Sequence, residues 1–333
     1  MSLTFARLGD ILRRMSDVRI AVVGDMVADV YLDAEPIRLS REAPVMVSRF
    51  RKETLLPGGA ANAVNNLKAL GVQVMPFGVV GADDAGLSLT ETFASMEMEV
   101  KGIVIQDDYE TILKTRVMLS EEGRRPQQVL RIDREPRVPV SPQAELALLR
   151  AFRRARPELS AVILSDYGYG AVTDGVIEAA RSASPDILVA ADSRYGLRRF
   201  RGVDVATPNT GEAGALVGRR LSTEKDCGEA GMALRRELEL ECLLITRGNQ
   251  GLMAIEEKEQ PLFLPASGVE DEVTDVSGAG DTVIALMTAA RAAGAEWEEA
   301  AELANLGAGV VVTKLGAAVA SPEEILNVAA RDD

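Results

Sequence analysis

A helix that opens Gly278-Ala279-Gly280-Asp281 sacrifices local stability, because each glycine near a helix start costs up to about 1 kcal/mol relative to alanine. The run makes sense if the backbone itself binds something. With Ser277 or Gly278 as the cap, the free N–H groups of residues 278–281 leave a partly positive helix end, which suits an anion such as phosphate. Small side chains let that anion come close. Asp281 then stands in the first turn, where it can take a proton from an attacking hydroxyl, and the helix end predicts a depressed carboxyl pKa. An ordinary first-turn acid complementing the helix dipole explains the aspartate, though not the Gly-Ala-Gly run.

Three further stretches carry the residue types of a ligand site. In PGGAANAVNNLKALG (57–71), Gly58 and Gly59 would let a ligand lie on the backbone and Asn62 could bond a hydroxyl. A tight turn feeding a helix explains the glycines equally well. In TPNTGEAGALVG (207–218), Asn209 and Glu212 sit at i and i+3 and share a helix face. They suit a hydrated magnesium ion, which keeps its waters and takes few protein ligands, or a plain capping pair, which this stretch alone favours. ITRGNQG (245–251), with Thr246, Gly248 and Gly251, ends a buried strand where ligands of open parallel sheets sit, or makes a β-hairpin turn.

The elements that must position these groups alternate. Helices are predicted over 4–16, 59–70, 84–97, 171–182, 209–217, 223–238, 278–293 and 297–313. Buried strands are predicted over 19–25, 73–79, 160–165, 187–191, 203–207 and 242–246. This rhythm argues for an α/β fold, a mostly parallel sheet with helices on both faces. Residues 26–57 and 101–135 break it with short alternating strands, which predict one small antiparallel sheet lying over the mouth of the main domain as a lid. No Gly-x-Gly-x-x-Gly follows the first strand, which argues against a dinucleotide fold.

Composition narrows the chemistry. The 333 residues contain no histidine, so Ser-His-Asp and Cys-His nucleophiles and His-rich zinc motifs are excluded. A net charge of −14 argues against nucleic acid as a partner. No run of about eighteen apolar residues predicts a membrane span, and the N-terminal pattern is not that of a signal peptide. Cys227 and Cys242 are expected to be buried thiols in a reducing cytoplasm.

Taken together and in this order, the paired glycines, the Asn-x-x-Glu, the Thr-Arg-Gly and the Asp-x-x-Gly-Ala-Gly-Asp that opens at Asp275 resemble the ribokinase-like sugar kinases, the phosphofructokinase B family. The likeness runs from about residue 18 to 328. Within the family, GDMVADVY, LSREAPVMV, KTRVM, QQVLRID, LSDYGYGA, DVSGAGDTVI and GVVVTKLG look most like the D-glycero-β-D-manno-heptose-7-phosphate kinases of ADP-heptose synthesis. The resemblance implies a single three-layer α/β/α kinase domain with a β lid, using ATP and Mg2+, often dimeric through the lids. It implies Asp281 as base, residues 278–280 as anion hole, and Asp29, Gly58, Gly59 and Asn62 around the sugar. It implies Asn209 and Glu212 at Mg-phosphate, and Thr246, Gly248, Gly251, Asp275 and Arg194 near the nucleotide. Two positions depart from the heptose-kinase pattern: Tyr169 stands where a lysine is expected, and Arg194 replaces another.

The resulting expectation is MgATP-dependent phosphorylation of a sugar hydroxyl, the anomeric one of a heptose 7-phosphate, with Lys114, Arg116 and Arg131 of the lid on the existing phosphate. Solvated strand-face charges are the alternative for those three. A kinase of an unphosphorylated sugar or nucleoside, and a non-catalytic sugar or nucleotide sensor, remain the competing readings. The His-x-Gly-His motif of a fused nucleotidyltransferase cannot be built from this sequence, and the kinase likeness uses nearly the whole chain. A single phosphorylation step is therefore expected.

Overall fold

The computed structural model describes residues 3–121, 123, 125–182, 187–257, 260–268 and 277–332. Asp275 therefore lies outside the described residues. The helices are α1 (Phe5–Arg14), α2 (Ala60–Ala69), α3 (Asp84–Ser95), α4 (Pro142–Ala155), α5 (Asp174–Arg181), α6 (Thr210–Val217), α7 (Glu224–Leu238), α8 (Ala279–Ala292), α9 (Trp297–Val312) and α10 (Pro322–Asp332). The strands begin with β1 (Arg19–Gly24), β2 (Met26–Leu39), β3 (Met46–Gly59), β4 (Gln73–Gly81), β5 (Ile103–Gln106), β6 (Ile112–Leu119) and β7 (Gln127–Arg134). They continue with β8 (Ala161–Asp166), β9 (Leu188–Ser193), β10 (Val205–Ala206), β11 (Cys242–Thr246), β12 (Leu252–Glu256) and β13 (Leu262–Leu264).

The main sheet has the order β13-β12-β11-β10-β9-β8-β1-β4-β5, parallel except for the antiparallel edge made by β12 and β13. Its central strands are buried on both faces, so their apolar runs are continuous. In β1, Ile20 and Val22 enter the core under α1, α2, α3, α8, α9 and α10. Ala21 and Val23 enter the opposite core under α4, α5, α6 and α7. Three layers follow from those two cores. Both cysteines are buried and free.

A second sheet, β3-β2-β6-β7, forms the expected lid. It differs from the expectation in two ways. Its central pair, β2 and β6, is parallel, with Asp29 beside Lys114 and Tyr31 beside Arg116. The chain leaves the β2–β3 hairpin, crosses the main domain through α2, β4, α3 and β5, and re-enters the lid in the direction of β2. The second lid segment also starts at β6: residues 103–106 extend the main sheet as β5 beside β4.

Helix starts follow local capping. Ser141 accepts from the Ala144 N–H ahead of Pro142, the start signal of α4, which the periodicity did not predict. The helix expected from residue 171 begins only at Asp174, capped by Thr173. Residues 167–171 are drawn instead onto Asp25 at the end of β1. Among the described residues, no helix is long and apolar enough to cross a membrane.

Candidate active site

The Gly-Ala-Gly helix start forms as the sequence required. Gly278 is the cap of α8 at φ 80°, a left-handed conformation that an L side chain resists. A Cβ there would lie 2.4 Å from Asn62 Nδ2. A Cβ on Gly280, by contrast, would meet nothing within 4 Å, so the backbone beside the free N–H groups is open. Ala279 is the first helical residue, followed by Asp281 at the third position.

Asp281 is 4% exposed and held from two sides. Asn62 Nδ2 donates to Oδ2 at 2.9 Å, and the Tyr167 hydroxyl donates to Oδ1 at 2.7 Å. Its pKa is the reverse of the expectation. Burial raises it to about 6, against the lowering effect of Asn62 and Tyr167, and Asp29 raises it further. The helix end acts through partial charges, whereas loss of water acts on the full carboxylate charge, so burial wins.

Asn62 belongs to the same network. It is fully buried on α2, its Nδ2 spent on Asp281 and its Oδ1 accepting from Asn66 at 3.2 Å. Asn66 in turn accepts from Thr282 Oγ1 at 3.0 Å. The amide thus supports the carboxylate of Asp281. Gly58 and Gly59 lie at the end of β3. A Cβ on Gly58 would sit 2.5 Å from Asp29 Oδ2, and Gly59 adopts φ 55° against Val27. These glycines let Asp29 and Val27 of β2 come close.

Across the site, Asp29 on β2 is buried and paired with Arg116 on β6 at 2.6 Å. Arg116 stacks on Tyr31, and Lys114 lies with its ammonium 5.4 Å from the centre of the Tyr167 ring. Burial lowers the Lys114 pKa, and Asp29 and Asp133 oppose that. Arg131 stands opposite Arg116 on exposed β7, its guanidinium forked onto Asp133 at 2.9 Å. Lys114 and Arg116 are buried on the inner lid face, and Arg131, on the same face opposite Arg116, is exposed.

On the far side, Asn209 and Glu212 form a reciprocal capping box on α6, each backbone N–H donating to the other's side chain at 2.9 Å. Partial burial raises the Glu212 pKa, while the Asn209 backbone N–H and nearby Arg194 lower it. Asn209 also bridges to Thr246 as a parallel β partner. Residues 246–251 turn β11 into antiparallel β12, so the hairpin alternative is realised. Gly251, at φ 87°, is demanded by Leu264, whose carbonyl a Cβ would meet. Gly248 points into open space. Exposed Arg194 rests on Tyr195, and Tyr169 bonds Glu135 at 2.8 Å.

Three residues escaped the sequence reading. Asp25 is 1% exposed and accepts the backbone N–H groups of Tyr167, Tyr169 and Ala171, at 2.8, 3.0 and 3.0 Å. Tyr167 was visible only as part of a motif. Asp192, at the end of β9, is pushed well above the usual carboxyl pKa by burial and then by Asp281. An acid directly after a buried strand, as in Gly24-Asp25, was the one available signal.

A model of the pfkB family of carbohydrate kinases matches residues 17–324. The bifunctional protein HldE of a Nitratiruptor species is 40% identical over 307 residues, 92% of this chain and 64% of that protein. The bifunctional protein HldE of Pelobacter propionicus is 38% identical over 323 residues, 96% of this chain and 65% of that protein. The chain thus spans just under two thirds of the length of these relatives. Arabidopsis thaliana ribokinase complexed with ribose and ATP superposes with a TM-score of 0.71 at 20% identity, covering 93% of this chain and 98% of that one. For Escherichia coli phosphofructokinase-2 in complex with substrates and products, the TM-score is 0.76 at 18% identity, covering 94% and 99%. At those identities the likeness is one of fold.

Proposed function

The chain belongs to the pfkB family of carbohydrate kinases, and from that premise we propose that it transfers the terminal phosphoryl group of ATP to a sugar hydroxyl, with Asp281 as the base. The observation that carries this reading is the junction of a glycine-capped helix end with a buried, doubly hydrogen-bonded carboxylate. Phosphoryl transfer passes through a loose transition state, so the protein has mainly to position reactants and balance charge. The N–H groups of residues 278–281 face the migrating phosphoryl oxygens. Asp281, with a pKa near 6, is ionised at neutral pH and basic enough to take the hydroxyl proton late in the transfer.

The acceptor we propose is D-glycero-β-D-manno-heptose 7-phosphate, phosphorylated at its anomeric hydroxyl to the 1,7-bisphosphate. Support comes from the heptose-kinase motifs and from the two cations, Lys114 and Arg116, buried on the inner lid face beside Asp29. A second reading, an unphosphorylated sugar, is favoured by one feature: Arg116 is already neutralised by Asp29. A pure sensor role has no use for a base held on both oxygens.

Among the described residues, no group of three or more His, Cys, Asp or Glu side chains could hold a metal ion. That fits a magnesium ion carried by the nucleotide's phosphates and by water, which needs one or two carboxylates at most. Glu212 and Asn209 would hold it through water, and bound there it would offset charge on the phosphates. In the same reading, Thr246 and Gly248 lie along the nucleotide, with Arg194 at the rim. We place the reaction in the cytoplasm, and for these 333 residues we propose the phosphorylation step.

The test is an ADP-release assay over plain and phosphorylated sugars, with phosphorus NMR of the product. Asp281→Asn should lower kcat by about 10²–10⁴ with little change in ATP binding. Unchanged turnover in a folded variant would remove Asp281 as the base.

A further inference from the structure

Tyr167 is tied into the site from three directions. Its backbone N–H donates to the buried Asp25, which also holds the rest of the loop through Tyr169 and Ala171. Its ring carries the Lys114 ammonium of the lid. Its hydroxyl ends 2.7 Å from Asp281 Oδ1. Because Asn62 holds Oδ2 from α2, the two donors come from different elements and fix the plane of the carboxylate between them. Each carboxylate oxygen accepts at two lone-pair positions, so an acceptor hydroxyl can still approach.

We propose that Tyr167 is a positioning residue for the reaction, its phenol hydroxyl orienting Asp281 toward the acceptor and stabilising it as the carboxylate. This rests on the reading of Asp281 as the base. Burial and the neighbouring Asp281 charge hold the Tyr167 pKa well above its ordinary value, so the phenol stays a donor across the working pH range. The groups facing Asp281 from the surrounding elements are Asp29 on β2, Lys114 on β6, Tyr167 after β8 and Asp192 on β9, with Asn62 the uncharged donor on α2. Of these charged or ionisable groups, Tyr167 is the one that bonds the carboxylate directly. The anchorage through Asp25 explains why a loop residue can do this: its main chain is fixed by a buried acid before any substrate arrives.

Tyr167→Phe removes the hydroxyl and keeps the ring under Lys114. The stability difference between the protein and its Asp281→Asn variant, followed against pH by denaturant unfolding, reports the titration of Asp281 without any substrate. In the Tyr167→Phe background, the midpoint of that difference should move up by about one pH unit, as expected when a hydrogen bond to the charged form is lost. The acid limb of kcat/KM, measured with ATP and D-glycero-β-D-manno-heptose 7-phosphate, should move with it, because substrate ionisations are common to both proteins. Tyr167→Leu should cost stability as well, through the lost ring. Coincident midpoints in the two backgrounds would overturn the proposal, even if Tyr167→Phe unfolded more easily, since a packing role does not move a titration. Full turnover by Asp281→Asn would instead remove the reading beneath it, and is read in a separate assay.

Discussion

Asp281 binds its proton more tightly in the folded chain than in the unfolded one, where an aspartate titrates near 3.9. Between about pH 4 and pH 6 the folded state therefore holds more protons, and stability falls as pH rises through that window. Asp281→Asn should thus stabilise the protein at pH 7–8, by at most about 3 kcal/mol, and the gain should vanish near pH 4. Thermal or denaturant unfolding at several pH values checks the sign; a variant destabilised at pH 8 would mean that the two hydrogen bonds outweigh burial. Arg116 tests the other half of the site. Arg116→Ala leaves Asp29 buried without its partner, which should cost about 3–5 kcal/mol, and the double change with Asp29→Asn should recover much of it. In kinetics, Arg116→Ala should raise KM for a sugar phosphate about tenfold or more and leave that for ATP nearly unchanged. Equal effects on both would favour the unphosphorylated acceptor.

At the scale of elements, the ends of two helices decide how the site is held. Gly278→Ala places a side chain at φ 80° against Asn62, so it should destabilise by at least about 1–3 kcal/mol and lower kcat by displacing the amide from Asp281. A fully active, equally stable Gly278→Ala would show that Asn62 support is dispensable. The α6 capping box allows a cleaner separation. Glutamine at the third position still accepts from the cap N–H, so Glu212→Gln keeps the helix start while removing the charge. The magnesium concentration for half-maximal rate should rise at fixed ATP, with the melting temperature little changed. A lower melting temperature with an unmoved titration would reduce Glu212 to a helix cap.

At the scale of the whole molecule, the lid carries exposed apolar residues. On β7, Leu130 and Ile132 alternate with Arg131 and Asp133, so they face away from the site, and both are more than half exposed. Phe50 on β3, in register with Ala34 of β2, is 60% exposed. An apolar sheet face of this kind fits pairing of two lids, as expected for a homodimer. Sedimentation should find a dimer, and Phe50→Glu with Leu130→Glu should give a monomer; a monomeric parent chain would refute it.

The sequence by itself determined the layering and the glycine-capped start of one helix. Continuous apolar strands alternating with amphipathic helices leave a mostly parallel, doubly covered sheet as the way to bury both faces, and Gly-Ala-Gly-Asp marks a helix start whose cap needs a left-handed glycine. These are local signals, carried by periodicity and by backbone freedom. Tertiary structure decided what sequence separation hides. Asn62 and Asp281 lie 219 residues apart and Tyr167 and Asp281 114 apart, so nothing local could show that they share one carboxylate. The direction of the β2–β6 pair depended on where a long crossover re-enters the lid. The Asp281 pKa, raised where the helix end alone predicts a lowered value, depended on how much water the lid, α2 and the Tyr167 loop together exclude. Desolvation sums over every element packed around a group, and that sum exists only once the chain has folded.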